Sequence, residues 1–362
     1  MLSGIMVGAS SVGGILLMPL YRILLKRSFA ATLHFQLVLI QFGNVLYSLA
    51  KVADSIELLV AGRFLAGLGM SFYPVYQFIA EREGKKNRSN TMALLGIFRA
   101  LGFSLGPIFA AVLLVYVDFN IGKLTVDTET NAGWSVAIFC AFQTALVVWF
   151  FPREGSKLLA ARRTEEAENA RFPLIEKAKY ISLISFVILS AALPSFFIAA
   201  WEVSATELIQ VSFKWTIQLS ALLVGGIAGT PAVSAPILGK LSYKFQDRQF
   251  LLVLGLLQLL STVFLFDFGL APLYLVGSLI FFNAITLQLI FIMALSSKIC
   301  LPCDVEKVQS LINVISLLLR AVGAVTGAAV SVNQFAFISI AGALMTFIGT
   351  AALYRKLKVS SE

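Results

Sequence analysis

Charge is what this chain has least of. Only 13% of its 362 residues are Asp, Glu, Lys or Arg. A soluble domain carries roughly 25%, so most of this surface does not face water. Histidine is rarer still, with His34 alone at the edge of an apolar run. No Ser-His-Asp set, phosphate-cradling glycine loop or metal-ligand cluster can be assembled, which argues against an enzyme and leaves no expected cofactor or metal. The three cysteines, Cys140, Cys300 and Cys303, make no disulfide framework. Cys300-Leu-Pro-Cys303 is a lone C-x-x-C without the second pair or histidines that zinc requires, and reads as reduced loop thiols.

What is abundant is apolar: 59% of residues are hydrophobic and the mean hydropathy is +0.89. Runs long enough to cross a bilayer at 1.5 Å per residue fall near 2–25, 31–51, 57–81, 91–116, 134–152, 178–204, 214–239, 249–268, 271–297, 308–331 and 334–354. These eleven spans predict an all-α polytopic membrane protein. The longest polar interval, Pro152 to Lys179, divides them five and six. The expected organisation is an N-terminal bundle over 1–152, a linker over 153–177 and a C-terminal bundle over 178–362.

The basic residues are not spread evenly. Of 28 lysines and arginines, 22 fall on one side of the predicted spans, and Lys51, Lys123 and Lys214 fall on the other. The positive-inside rule then puts the linker and the C-terminus in the cytosol. The net charge of +9 is a topology signal rather than a nucleic-acid footprint. The first span begins outside the cytosol without a charged n-region or cleavage site, so one further helix is expected ahead of it. The remaining three cations, Arg63, Arg99 and Arg320, lie inside spans.

The two halves resemble each other. Arg99-Ala100-Leu101-Gly102-x-x-x-Gly106 matches Arg320-Ala321-Val322-Gly323-x-x-x-Gly327 at a shift of 221. Tyr21-Arg22 with Lys26-Arg27 echoes Tyr243-Lys244 with Arg248 at a shift of 222. Repeats of this size build many secondary transporters, with the substrate held near the midplane between them.

With these residues in view, the chain resembles the major facilitator superfamily. Arg63-x-x-x-Gly67-x-Gly69 is similar to its fourth-helix motif and Gly102-x-x-x-Gly106-Pro107 to its fifth-helix motif. The basic clusters after the first and seventh predicted spans match its cytosolic loop motif, but Tyr21 and Tyr243 stand where that motif has an acid. The usual charge latch is thereby put in doubt. Gly122-Lys123-Leu124 through Asn131-Ala132-Gly133-Trp134, and Trp201-Glu202 through Lys214-Trp215-Thr216, resemble the branch of lysosomal ceroid-lipofuscinosis transporters and vacuolar SPX-linked phosphate transporters. No SPX domain occurs in these residues, which favours the lysosomal side. The resemblance implies two pseudo-symmetric helical bundles and a carrier that works as a monomer in the lipid bilayer. Its partners would be a small solute and, through a carboxylate, protons, with no nucleic acid.

An arginine at mid-membrane costs about 2.5–3.5 kcal/mol on insertion scales, so each must meet water, a partner or a ligand. Few internal acids are available, and Arg99 and Arg320 sit on repeat-related spans. They are therefore candidates for holding an anion, the alternative being that they brace helices. Gln309, Asn313, Ser316 and Arg320 share one helical face, and Arg63, Met70, Pro74, Gln77 and Glu81 make a comparable stripe. Such stripes line a cavity or join helices. Arg99, Arg320, Asn313 and Gln77 are the substrate-binding candidates. Arg63 and Glu202 are the gating or coupling candidates. Glu202, at a membrane boundary, is either a proton carrier through desolvation or a solvated loop residue. Gly102, Gly106, Gly323 and Gly327 have the small-residue spacing of close helix contacts, Gly67 and Gly69 are the packing glycines of the fourth-helix motif, and Pro107 can kink its helix.

The favoured function is a secondary transporter of a small anion by alternating access. An anion channel on the same scaffold and a non-transporting sensor are the alternatives. Glu154-x-x-x-Leu158-Leu159 resembles a dileucine sorting signal and favours an endolysosomal membrane over the plasma membrane. Asn87-Arg88-Ser89 is a glycosylation sequon that the charge distribution puts in the cytosol. It is expected to stay bare in a glycosylating host, and a glycan on Asn87 in mass spectrometry would reverse the orientation.

Overall fold

The computed structural model describes residues 2–84, 87–116, 119–121, 124–127, 130–150, 174–300 and 304–354. Most of the predicted linker, the dileucine string, Lys85, Lys86 and Cys303 lie outside the described residues.

The first group of helices is α1 (Leu2–Leu16), α2 (Met18–Arg27), α3 (Phe29–Leu49), α4 (Ile56–Gly69), α5 (Tyr73–Arg82), α6 (Arg88–Tyr116) and α7 (Asn131–Phe150). The second is α8 (Leu174–Val211), α9 (Ile217–Gly229), α10 (Pro231–Leu241), α11 (Asp247–Thr262), α12 (Ala271–Ile299), α13 (Val305–Ala329) and α14 (Val332–Leu353). Between α6 and α7, β1 (Phe119–Ile121) and β2 (Leu124–Val126) form an antiparallel ribbon with Asn120 opposite Thr125. It is a small addition to the all-helical architecture predicted.

Three predicted spans are each two helices, and proline accounts for all three breaks. Pro19, Pro74 and Pro231 stand in the first turn of α2, α5 and α10. A proline there loses no helical hydrogen bond of its own, but it cannot extend the ladder back into the preceding helix. The α1–α2 pair bends by 48°, whereas Ile56–Arg82 and Ile217–Leu241 each continue as one span. Nine described segments are long and apolar enough to cross a membrane, and the bent pair makes ten. The 29-residue α6 is the eleventh by length. Serine and threonine start the helices that follow loops: Ser55, Thr216 and Ser331 accept from the backbone N–H three residues on.

The centre of the molecule is α12, apolar around its whole circumference, as a helix enclosed by others must be. Of its most apolar window, 72% is buried. Phe291 on α12 stacks on Phe250 of α11 at 4.5 Å between ring centres, and Phe282 meets Trp201 of α8 at 4.9 Å. The groups are joined chiefly by α1, which packs on α13 as well as on α4, and by α6, which packs on α9, α10 and α12; α5 also meets α13.

The polar ties between the groups gather at the end richest in lysine and arginine. Arg22 Nε donates to Glu306 Oε1 at 3.3 Å. Asp247, 6% exposed, accepts from Ser89 Oγ at 2.7 Å and from Lys298 Nζ at 2.6 Å, and Lys298 also reaches Ser89. Arg88 donates to the carbonyls of Ala80, Glu83 and Ser297. The loop motif lacked its acid, and Asp247 and Glu306 supply the charge at this end instead. Cys300 closes α12 there; burial, with help from Asp304 and against a hydrogen bond to Tyr180, pushes its thiol up to about 12. A thiol so held is protonated at neutral pH and inert.

The motif glycines divide into two kinds. A Cβ on Gly67 or Gly69 would come within 3.0 Å of the Ser10 or Gln36 carbonyl, and one on Gly323 or Gly327 would strike that of Phe196 or Ala200. These four let helix backbones touch. Gly102 and Gly106 are exposed, with no atom within 4 Å of where a Cβ would stand. The difference from their repeat mates is physical: α8 covers the glycine face of α13, and no described helix covers that of α6. The Pro107 side chain lies outside the described set. Gly67→Val and Gly323→Val are therefore expected to lower the melting temperature markedly, overpacking costing about 1–3 kcal/mol, while Gly102→Ala leaves it unchanged. Equal melting of all three variants would contradict the division.

Candidate functional site

The functional geometry begins with the close approach of α8 and α13. Gly323 and Gly327 admit α8, and Trp201 pins it to α12 by donating Nε1–H to Ser278 Oγ at 3.1 Å. The next residue, Glu202, is thereby turned toward α13, where Arg320 Nη2 donates to its Oε2 at 3.2 Å. Both side chains are about three-quarters shielded, at 21% and 26% exposure. Glu202 is thus neither an isolated carboxyl nor a solvated loop residue; it is the partner of Arg320.

Arg99, the repeat mate of Arg320, has a different environment. Its guanidinium sits 4.8 Å from the Phe72 ring centre and 5.4 Å from that of Phe103, within cation–π range. Nη1 donates to the Tyr76 hydroxyl at 3.2 Å. Among the described residues the buried Nε has no hydrogen-bond partner. No carboxylate pairs with Arg99 among the described residues. Phe103 lies between the two cations, since Arg320 is also within 5.7 Å of its ring centre.

Both arginines open onto one cavity of about 460 Å³. Ser10 and Ser11 of α1 line it, with Phe72 and Tyr76 at the α4–α5 break, Ser195 of α8, and Leu289 and Met293 of α12. From α13 come Ile312, Asn313, Ser316 and Leu317, so three of that helix's four polar stripe residues reach the cavity. The fourth, Gln309, is buried and donates to Ser296 of α12 at 2.9 Å. Asn313 Nδ2 reaches across to Ser71 Oγ at 3.3 Å and Met18 Sδ at 3.6 Å, closing the cavity between the two groups of helices.

The stripe expected on 57–81 does not hold together, because the Met70–Phe72 break interrupts it. Gln77 is buried away from the cavity wall and donates to Glu81. Arg63 lies against the Tyr47 ring at 4.1 Å and does not line the cavity either. On α12, Asn283 ties helices together through Thr230 and Ser234. Tyr76, Phe72 and Phe103 were not foreseen. An aromatic residue in an apolar helix reads as packing, and only the nearness of Arg99 gives these a different meaning.

Set beside known proteins, residues 1–341 match the family model described as the Major Facilitator Superfamily. An SPX domain-containing membrane protein of Arabidopsis thaliana is 31% identical over 135 residues, 37% of this chain and 19% of that protein. One from Oryza sativa subsp. japonica is 28% identical over 148 residues, 41% of this chain and 20% of that protein. The chain spans about a fifth of the length of the curated relatives it matches. Among solved structures the fold is similar to the proton:xylose symporter XylE (TM-score 0.76, 14% identity, 99% of this chain and 86% of that one). It is also similar to the human organic anion transporter MFSD10 (TM-score 0.70, 16% identity, 98% and 82%).

The Glu202–Arg320 geometry makes a thermodynamic prediction. Glu202→Gln and Arg320→Gln should each lower the melting temperature, and the double variant should lose less than the sum, with a coupling of about 0.5–3 kcal/mol. Strict additivity would mean that the two side chains are not paired.

Proposed function

Because the chain belongs to the major facilitator superfamily, we propose that it is a secondary active transporter that moves a small anion by alternating access. The observation that carries this reading is Arg99, a cation on the wall of a 460 Å³ cavity with no carboxylate partner among the described residues. A neutral solute could only accept hydrogen bonds from that guanidinium, whereas an anion also supplies the missing counter-charge. Asn313, Ser316 and Tyr76 supply further polar contacts, and Arg320 lies beyond Phe103 as a second cation in reserve.

Proton coupling follows from the same geometry. Glu202 holds Arg320 only while it is ionised; a proton on Glu202 releases Arg320 toward the cavity, so that proton and anion binding favour one another. The polar ties at the basic end would break and re-form as the two groups of helices rock, Arg22–Glu306 and Ser89–Asp247–Lys298 marking the state closed on that side. The positive-inside pattern makes that side cytosolic. For location the reading is an endolysosomal membrane, supported by the Glu154-x-x-x-Leu158-Leu159 string.

Uptake of radiolabelled small anions into proteoliposomes, with and without a pH gradient, tests this. Wild type should show saturable uptake, and Arg99→Ala should lose it by at least about tenfold, the worth of roughly 1.4 kcal/mol. Glu202→Gln should keep uptake but lose its response to the gradient. Uptake unchanged in Arg99→Ala would end the anion-site reading.

A further inference from the structure

The charge and surface of the cavity narrow the kind of anion it can hold, an inference that rests on the anion reading above. Among the described residues only two lining side chains are charged, Arg99 and Arg320. Arg320 is committed to Glu202 at 3.2 Å. The wall therefore presents one net positive charge. In a shielded site a monoanion neutralises it, and a dianion leaves a negative charge uncompensated.

The surroundings of Arg99 restrict the head group. The Tyr76 hydroxyl takes one of its five N–H groups, and with Phe72 and Phe103 bordering the guanidinium the others are offered to a ligand in the guanidinium plane. A carboxylate, planar and able to accept two parallel hydrogen bonds from one guanidinium, makes the fullest use of them. Inorganic phosphate needs donors around a tetrahedron, and the immediate neighbours of the Arg99 guanidinium are the Phe72 and Phe103 rings and the Tyr76 hydroxyl.

The remainder of the wall restricts the body. Leu95, Leu289, Met293, Ile312 and Leu317 form an apolar surface, joined by Phe72. A sugar's hydroxyls laid against these apolar side chains would be buried without acceptors. The volume, about 460 Å³, lies in the range of pockets for drug-sized molecules and exceeds what chloride or acetate fills. We propose that the cavity takes an amphipathic monocarboxylate, with its carboxylate on Arg99 and an apolar, ring-bearing body against Leu289, Met293, Ile312 and Leu317.

The test is equilibrium binding of radiolabelled 2-naphthoate to the full chain in lipid nanodiscs, with acetate, inorganic phosphate, xylose and neutral 2-naphthol as competitors. Variants are admitted only if they are monodisperse and melt within the wild-type range. Saturable binding is expected, weakened at least about tenfold in Arg99→Gln and less in Arg99→Lys, which keeps the charge and loses the planar fork. Acetate should compete at least about tenfold more weakly than unlabelled naphthoate, and phosphate and xylose should not compete. Leu289→Gln should weaken naphthoate and leave acetate unchanged. If phosphate displaces naphthoate as well as naphthoate itself does, or if uptake of acetate or phosphate depends on Arg99 while naphthoate fails to bind, the amphipathic class is wrong and the anion reading stands. If 2-naphthol competes equally and Arg99→Gln binds like wild type, both readings fall.

Discussion

An arginine among apolar helices has to be answered by something, because hydrocarbon offers its five N–H groups no partners. This chain answers its three in different ways. Arg320 has the Glu202 carboxylate, Arg63 has the face of Tyr47, and Arg99 has two phenyl rings and a phenol. Much of the architecture can be traced to those answers. The Glu202–Arg320 pair exists because Gly323 and Gly327 allow α8 and α13 to touch and because Trp201 fixes the rotation of α8. The Arg99 environment exists because the chain breaks at Met70–Phe72 and carries Phe72 and Tyr76 toward α6.

The two repeats are therefore alike in sequence and unlike in electrostatics. Arg99 and Arg320 sit in matching strings of residues, yet among the described residues Arg320 is paired with an acid and Arg99 is not. A cavity flanked by two bare arginines would repel itself when empty and bind a ligand too tightly to release it. One paired and one unpaired cation gives a site with a single charge to offer and a second held back by a titratable group. That asymmetry is what the proposed coupling of protons to anion movement draws on.

The two groups of helices are joined by apolar contacts along α1–α13 and α6–α9–α10, with polar ties concentrated at the basic end. Charge-assisted bonds between the two groups suit the rocking proposed above, since each partner can be rehydrated when exposed. The lining of α12 by apolar side chains has the opposite character, and holds the second group of helices together whichever end is open.

The sequence by itself determined a great deal: the helical architecture, the place of most spans within a few residues and the superfamily. All of these depend on one-dimensional properties, namely run length, charge placement and spacing. It also singled out Arg99, Arg320 and Asn313, because a polar group in an apolar run stands out without knowledge of its neighbours. Tertiary structure alone decided what each meets. Glu202 and Arg320 are 118 residues apart, Gln77 is turned away from the cavity by a helix break its stripe did not anticipate, and Gly102 is open where Gly323 is covered. Tyr76, Phe72 and Phe103 carry no signal in a sequence rich in aromatics. Pairing, burial and the geometry of a cavity are relations between distant residues, and local pattern cannot encode which of many apolar faces will come together.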